Sequence, residues 1–238
     1  MSYLFISDLH LMEERPDITA ALGRFLSAEV KPGDTLYVLG DLFEVWLGDD
    51  HKTAFNQEII DLFAATPCKK YLMHGNRDFL IGQVFCDLAG FELLPDPTVH
   101  LLHGEPTLLM HGDSLCTRDE AYMQIRTMLR NPAFQAELLT KTLAERQAIA
   151  MGARQESKAH TRETTMDIMD VTPSEVDRVM AETGVRRLIH GHTHRPDRHQ
   201  LSIDDQDAER IVLGDWDNRG WVLRVSEGET PALINFDI

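Results

Sequence analysis

Residues 35–44 read TLYVLGDLFE. A short, nearly unbroken apolar run stops at Gly40 and gives way to Asp41 and Glu44. A run of this length, bounded by Gly and Asp, predicts a strand covered on both faces. The same grammar recurs four times. YLFIS runs into Asp8 and His10, and KKYLMHG into Asn76, Arg77 and Asp78. TLLM runs into His111, Gly112 and Asp113, and RRLIHG into His192 and His194. The predicted strands are 3–7, 35–39, 70–73, 107–110 and 186–189. Segments with helical period near 17–29 and 54–65 separate the first three, and Thr53 is placed to cap the second helix. Strand and helix in alternation predict an α/β fold. Polar groups just beyond strand ends match the rule that open α/β sheets bind ligands past their carboxyl ends. Further runs at 211–213, 221–225 and 232–236 predict an antiparallel continuation, hence a mixed or doubled sheet.

The five junctions carry carboxylate, amide and imidazole groups and no sulfur. Asp8 and His10 are two apart, as are His192 and His194, so each pair can project to one side. The two oxygens of Asp41 make it the natural ligand shared by two ions about 3.5–4 Å apart. Asn76 offers a neutral oxygen suited to hard cations, and His111 completes a set of seven candidate ligands. His51, His74, His100, His103, His160, His190 and His199 are read as non-ligands. The donor set disfavours a structural zinc site and favours Mn²⁺, with Fe²⁺, Co²⁺ or catalytic Zn²⁺ as rivals.

The chain has 238 residues, 43% of them hydrophobic, which suits one sizeable core. Its net charge of −16 lacks the basic footprint of a nucleic-acid binder. The N-terminus MSYLFISDLHLM has no basic region, so no cleaved signal is expected, and no stretch nears the roughly 18 apolar residues of a membrane span. Cys68, Cys86 and Cys116 are odd in number and unclustered, which argues against a disulfide framework and fits a reducing cytoplasm. Residues 119–170 are rich in helix formers and interrupt the ligand series between His111 and His192. From Arg118 to Glu163 there are eight Lys or Arg against six Asp or Glu, a surplus of two in an acidic chain. That charge reads either as a solvated helical face or as a local anion-binding surface. The apolar groups at helical spacing (Ile125, Met128, Leu129, Phe134, Leu138, Leu139, Leu143, Ile149, Met151) have two readings. They pack a helical hairpin onto the core, or they line an inserted cap that receives an apolar substrate.

Asp8-x-His10, Gly40-Asp41-x-x-Glu44, Gly75-Asn76-x-Asp78, His111-Gly112-Asp113 and Gly191-His192-x-His194 resemble, in order, the five blocks of the calcineurin-like metallophosphoesterase superfamily. The resemblance implies two mixed β-sheets packed face to face and flanked by helices. It implies one ion on Asp8, His10, Asp41 and His194, and another on Asp41, Asn76, His111 and His192. It assigns no catalytic side chain, the nucleophile being a water held between the ions. Many members carry His after the motif Asn as general acid, where this chain has Arg77. A phosphate leaving group, with a second pKa of about 6, can depart unprotonated, so Arg77 fits cleavage of a phosphoanhydride with pairing to the departing anion.

Over essentially the whole chain, FISDLHL, LYVLGDLFEVWLGDD, GNRDFL, LMHGDSLCTRDEAY and IHGHTHRP are similar to one branch, the hydrolases of a diacylated UDP-sugar in lipid A biosynthesis. That implies water attack at the α-phosphate, Mn²⁺ as the usual metal, and a helical lid (119–170) inserted in a single domain (1–238). The substrate contacts it implies are Asn76, Arg77, Asp119, Tyr122, Arg154, Ser157, Thr161, Thr164 and His192. Relatives often place Asn and a basic residue where Thr161 and Thr164 stand. An acylated substrate further implies a cytoplasmic enzyme, peripheral on the inner-membrane surface, with no protein partner. Rival readings are a generic phosphodiesterase or dinucleotide polyphosphate hydrolase of the same superfamily, and a non-catalytic scaffold, which should have lost ligands that are all present here.

Overall fold

The structure is a computed structural model. It describes residues 1–163 and 168–238, with side chains omitted from 158 to 167. The first sheet has the order β11-β10-β1-β2-β3-β4. Here β1 (Ser2–Ile6), β2 (Thr35–Leu39), β3 (Lys69–Met73) and β4 (Phe91–Leu94) run parallel, and β10 (Arg219–Ser226) and β11 (Ala232–Asp237) continue the sheet antiparallel. The second has the order β5-β6-β7-β9-β8, with β6 (Glu105–Met110), β7 (Arg187–His190) and β9 (Gln206–Val212) parallel. Its outer strands β5 (Thr98–Leu102) and β8 (Asp197–Ile203) pair antiparallel with their neighbours. Both sheets are therefore mixed, and all five ligand-bearing strands belong to the parallel part of one or the other.

Period-two alternation explains the unbroken apolar runs. Leu4, Ile6, Leu36, Val38 and Leu72 join α1 (Pro16–Glu29), α2 (Ala54–Ala64) and α3 (Gln83–Ala89) in one buried cluster, through Leu22, Phe25, Ile59, Phe63 and Phe85. The intervening Phe5, Tyr37, Leu39, Tyr71 and Met73 pack instead with Leu109, Ile189, Ile211 and Leu213 between the sheets. Leu108, Met110 and Leu188 meet Val176 and Met180 of α7 (Pro173–Thr183) on the far side. Each of the parallel strands named here is thus covered on both faces, as a parallel sheet requires, and each fully buried Leu or Phe contributes roughly 1.5–3 kcal/mol.

Local signals agree with the helices. Pro16 opens α1, where its missing N–H costs nothing. Thr53 accepts from Asn56 N at 3.0 Å, the expected cap of α2. Gly90, at φ 76°, closes α3 with its N–H on Cys86 O. Between β6 and α7 lie three more helices: α4 (Glu120–Leu129), α5 (Pro132–Thr140) and α6 (Leu143–Glu163). The reading of the sequence missed α3, β4, β5, α7 and β8. None of these has the long apolar run or the ligand-bearing end that marked the others.

Candidate metal centre and adjoining cavity

Five turns leave the carboxyl ends of β1, β2, β3, β6 and β7, and the seven candidate ligands stand on them. Asp8, His10, Asp41, His192 and His194 all hold left-handed backbone, with φ of 55°, 48°, 51°, 68° and 54°. For residues with side chains this costs of order 1–3 kcal/mol each and persists only where the surroundings over-determine it. Here they do: Asp8 N donates to Gly40 O at 3.1 Å, His10 N to Asp41 O at 3.0 Å and Leu11 N to Leu42 O at 2.9 Å, binding the first two turns together. Gly75 has a different reason to be glycine. A Cβ there would overlap the carboxylate and backbone nitrogen of Asp41, so the β2 and β3 turns could not approach.

The side chains converge. One ligand atom each of Asp8, His10 and His194 lies within 4.8 Å of the others, and the same holds for Asp8, Asp41 and His111. Asp41 Oδ2 is 3.8 Å from His10 Nε2 and 3.9 Å from His111 Nε2, so a single oxygen faces both halves of the site. Asn76 Oδ1 is 3.2 Å from His111 Nε2 and 3.0 Å from His192 Nδ1. His10 and His194 bring their Nε2 atoms within 3.4 Å. Donors sharing one ion at about 2.1 Å sit roughly 3.0–3.4 Å apart, so these separations suit a cation between them. Of the remaining ring nitrogens, His111 Nδ1 is hydrogen-bonded to Leu39 O at 2.9 Å, while His10 Nδ1 and His194 Nδ1 lie beside carboxylates, 2.9 Å from Glu44 Oε2 and 3.7 Å from Asp215 Oδ2. Such outer contacts are what ligating imidazoles require. Oxygen and imidazole donors, held this way around buried carboxylates, fit a pair of divalent ions.

The electrostatics fit as well. Burial alone would raise Asp8, but His194, His111 and His10 outweigh it and hold its carboxyl well below the usual range. Burial opposes charge on His194, yet Asp8 and Asp215 bring it up to about 9. His10 and His111 are raised against burial by Glu44 and Asp41 respectively. His192 is pushed down to about 4 by burial and by His111. Without a cation, His194 therefore holds a proton beside the ionised carboxylate of Asp8, a charge that a divalent ion can replace.

Other motif residues have structural roles. Asp78 accepts from Leu42 N at 2.7 Å and Gly75 N at 2.8 Å, stitching two turns together; burial and Asp41 push it up to about 6. His190 is fully buried, 2.8 Å from Gly191 O and 3.2 Å from Arg210. His74 lies 2.7 Å from Ile81 O, and His100 Nδ1 3.0 Å from Tyr37 Oη. All three stand apart from the ligand groups. Asp215 was missed. It follows the β9 strand in Gly214-Asp215, a sixth junction of the same grammar.

A cavity of ≈ 330 Å³ adjoins the cluster. Asn76, Arg77, Tyr122, Arg154 and Ser157 line it, and its remaining wall is largely apolar: Trp46, Leu47, Phe79, Leu80, Ile125, Met128, Leu129, Phe134, Leu138 and Ile149. Arg77 reaches Ser157 Oγ at 3.2 Å. The ring of Tyr122 lies 5.4 Å from that of His192. Asp119 is buried and caps α4, accepting from Tyr122 N at 3.0 Å. Of the other expected contacts, the side chain of Thr161 and all of Thr164 lie outside the described residues.

The basic groups of 118–163 face inward more than expected. Arg126 and Arg130 reach Asp113 at 3.0 and 3.3 Å, Tyr122 Oη donates to the same carboxylate at 3.0 Å, Arg154 reaches Glu44 at 2.9 Å, and Arg146 pairs with Asp50. Four of the eight cations thus dock α4 and α6 on acids of the sheet ends. Glu44, Asp50 and Asp113 lay in quoted motifs, but nothing local marked them as docking partners.

The sequence pattern of the calcineurin-like phosphoesterase family matches residues 1–196. The chain is 58% identical over 228 residues to the UDP-2,3-diacylglucosamine hydrolase of Pseudomonas aeruginosa (strain UCBPP-PA14), covering 94% of this chain and 95% of that protein. It is 55% identical over 227 residues to the protein of the same name from Stutzerimonas stutzeri (strain A1501), with 94% and 95% covered. Among solved structures, phosphopantetheinyl hydrolase from Mycobacterium tuberculosis superimposes with a TM-score of 0.50 at 15% identity, covering 97% of this chain and 98% of that one, a likeness of fold.

Proposed function

This chain belongs to the calcineurin-like phosphoesterase family, and from that premise we propose that it hydrolyses UDP-2,3-diacylglucosamine to UMP and 2,3-diacylglucosamine 1-phosphate, a step of lipid A biosynthesis. The observation that carries this reading is one continuous surface. Asn76 and Arg77 belong to the cation cluster's turn and also line the apolar cavity. A substrate with a pyrophosphate at one end and two acyl chains at the other needs that adjacency.

Asp8, His10, Asp41 and His194 would hold one divalent ion, and Asp41, Asn76, His111 and His192 the other. When bound, the pair acts as a Lewis acid, making water nucleophilic near neutral pH and offsetting phosphoryl charge. Mn²⁺ fits the mixture of carboxylate, amide and imidazole. The chain's own part is positioning. Arg77 N donates to Asp41 Oδ1 at 2.8 Å, which fixes the turn and leaves the guanidinium in the cavity to pair with phosphate oxygens. Water oxygen adds to the α-phosphorus, the anhydride P–O bond breaks, and the sugar phosphate leaves as an anion. It needs no proton from the protein, consistent with Arg77 where a general acid would otherwise stand. Tyr122, Arg154 and Ser157 would orient the sugar and phosphates. Thr161, Thr164, Asp119 and His192 complete the proposed contacts.

The helical segment 119–170 is read as a lid, an insertion in a single domain spanning 1–238, whose apolar side receives the acyl chains. No helix among the described residues is long and apolar enough to cross a membrane. An acylated substrate requires a visit to a lipid surface, so we place the enzyme peripherally on the cytoplasmic face of the inner membrane.

The test is hydrolysis of UDP-2,3-diacylglucosamine in H₂¹⁸O with and without Mn²⁺. The expected result is metal-dependent release of UMP carrying the label, abolished in Asp41→Ala. Label in the sugar phosphate would overturn α attack. Turnover of soluble dinucleotides alone would favour the broader phosphodiesterase reading, and no metal-dependent turnover at all would favour a scaffold.

A further inference from the structure

Glu44 stands where the cation cluster meets the cavity wall, with its side chain 14% exposed. Its two oxygens face different parts of the molecule. Oε2 is 2.9 Å from His10 Nδ1, and Oε1 is 2.9 Å from Arg154 Nε on α6. The backbone fixes Glu44 relative to His10 without help from the helices. Glu44 N donates to Leu11 O at 3.1 Å, and Leu11 and Phe43 form an isolated parallel bridge.

We propose that Glu44 is a positioning residue that couples docking of α6 to the orientation of His10. This rests on the reading of Asp8, His10, Asp41 and His194 as a cation site. Both contacts of Glu44 are close charge approaches rather than aligned hydrogen bonds, and an ionised carboxylate, which only accepts, favours the proton on the nearer imidazole nitrogen, Nδ1. The lone pair of neutral His10 then lies on Nε2, the atom turned toward Asp41 and His194. Arg154 lies beside the other oxygen and, as a cation, favours the orientation of the carboxylate that faces both partners. With α6 docked, Glu44 has one orientation and His10 one tautomer. With α6 displaced, Glu44 loses the guanidinium, and both side chains gain freedom that cation binding must remove. Coupling between two sites is reciprocal, so a cation at His10 must also favour docked α6.

The experiment compares wild type, Glu44→Gln and Arg154→Gln, each as full-length protein. Mn²⁺ affinity is measured by calorimetry, and amide exchange of α6 is followed with and without Mn²⁺. Gln keeps the shape of Glu44 but cannot accept from both partners. The expected result for Glu44→Gln is an affinity loss of about 10–100-fold, typical of lost outer-shell carboxylates, together with loss of the Mn²⁺-dependent protection of α6. Arg154→Gln should lose that protection too while keeping more of the affinity, because Glu44 still faces His10. A wild-type affinity in Glu44→Gln, or wild-type Mn²⁺-dependent protection in either variant, overturns the proposal. Arg154 is a third exposed on a helix surface, so its variant carries the test if Glu44→Gln does not fold. Neither readout uses the acylated sugar nucleotide, so a failure here is separate from a failure of the proposed reaction. A wild type that takes up no Mn²⁺ overturns the cation reading and this proposal with it.

Discussion

Asp8, His10, Asp41, His192 and His194 occupy backbone conformations that residues with side chains seldom adopt. Their identity was readable from spacing because each lies within a few residues of a strand end. Their protonation was not, since it depends on neighbours far along the chain, such as Asp8 beside His194 across 186 residues. It has a measurable consequence. His194 is raised from 6.5 to about 9, so in the cation-free protein it carries a proton at neutral pH, whereas a ligating imidazole must be neutral. Cation uptake therefore expels that proton, and affinity should climb with pH between 6.5 and about 9. One proton released corresponds to about tenfold per pH unit. In the cation-free protein the sign is reversed for stability: a raised imidazole stabilises fully below its unfolded pKa, and that contribution fades as pH rises through about 9. Calorimetric Mn²⁺ titrations in two buffers of different protonation enthalpy would check this; equal apparent enthalpies and a flat affinity profile would contradict it.

The helices α4 and α6 reach the sheet ends through acid–arginine contacts rather than through apolar burial alone. The two acids after Gly48 illustrate how a recognised motif acquires a physical reason. Asp49 accepts from Gly82 N and Phe85 N, at 2.9 and 3.0 Å, capping α3. Asp50 holds Arg146, which also donates to Leu47 O, 99 residues away. Helical character of the segment was legible from composition, and its apolar spacing left a packed hairpin and a substrate-receiving cap both open. The docking was not legible, because no local pattern says which acid an arginine will meet across such separations. Asp50→Asn should loosen α6 selectively. Arg146 is 4% exposed but Asp50 58%, so solvent screens the pair and the expected loss is about 1 kcal/mol. Hydrogen exchange should quicken in α6 and stay unchanged in β1–β3, and KM for the acylated substrate should rise. Uniform acceleration, or none, would show that this contact does not hold the helix.

At the level of the whole molecule, a net charge of −16 opposes attraction to an anionic bilayer, and four of the eight cations of 118–163 are turned inward. On the proposed peripheral placement, contact with lipid would rely on apolar side chains facing solvent. Leu139 is 47% and Met151 57% exposed, whereas the adjacent Leu138 is 6% exposed and belongs to the core. Leu139→Glu/Met151→Glu should partition several-fold less onto vesicles of bacterial lipid while unfolding at the wild-type temperature; equal partitioning would place the lipid contact elsewhere. Helical spacing named both leucines but could not assign them to opposite sides, because α5 is apolar on more than one face. The same division runs through the protein. The positions of the strands that carry the candidate donors, the chemistry of those donors and the α/β class could be read from the chain, since apolar runs and their polar ends are neighbours in sequence. Folding was needed to place one Asp41 oxygen between two imidazoles, to give Glu44 two masters and to turn four arginines inward. Those outcomes depend on distances between residues tens to nearly two hundred positions apart, which packing sets and local pattern does not encode.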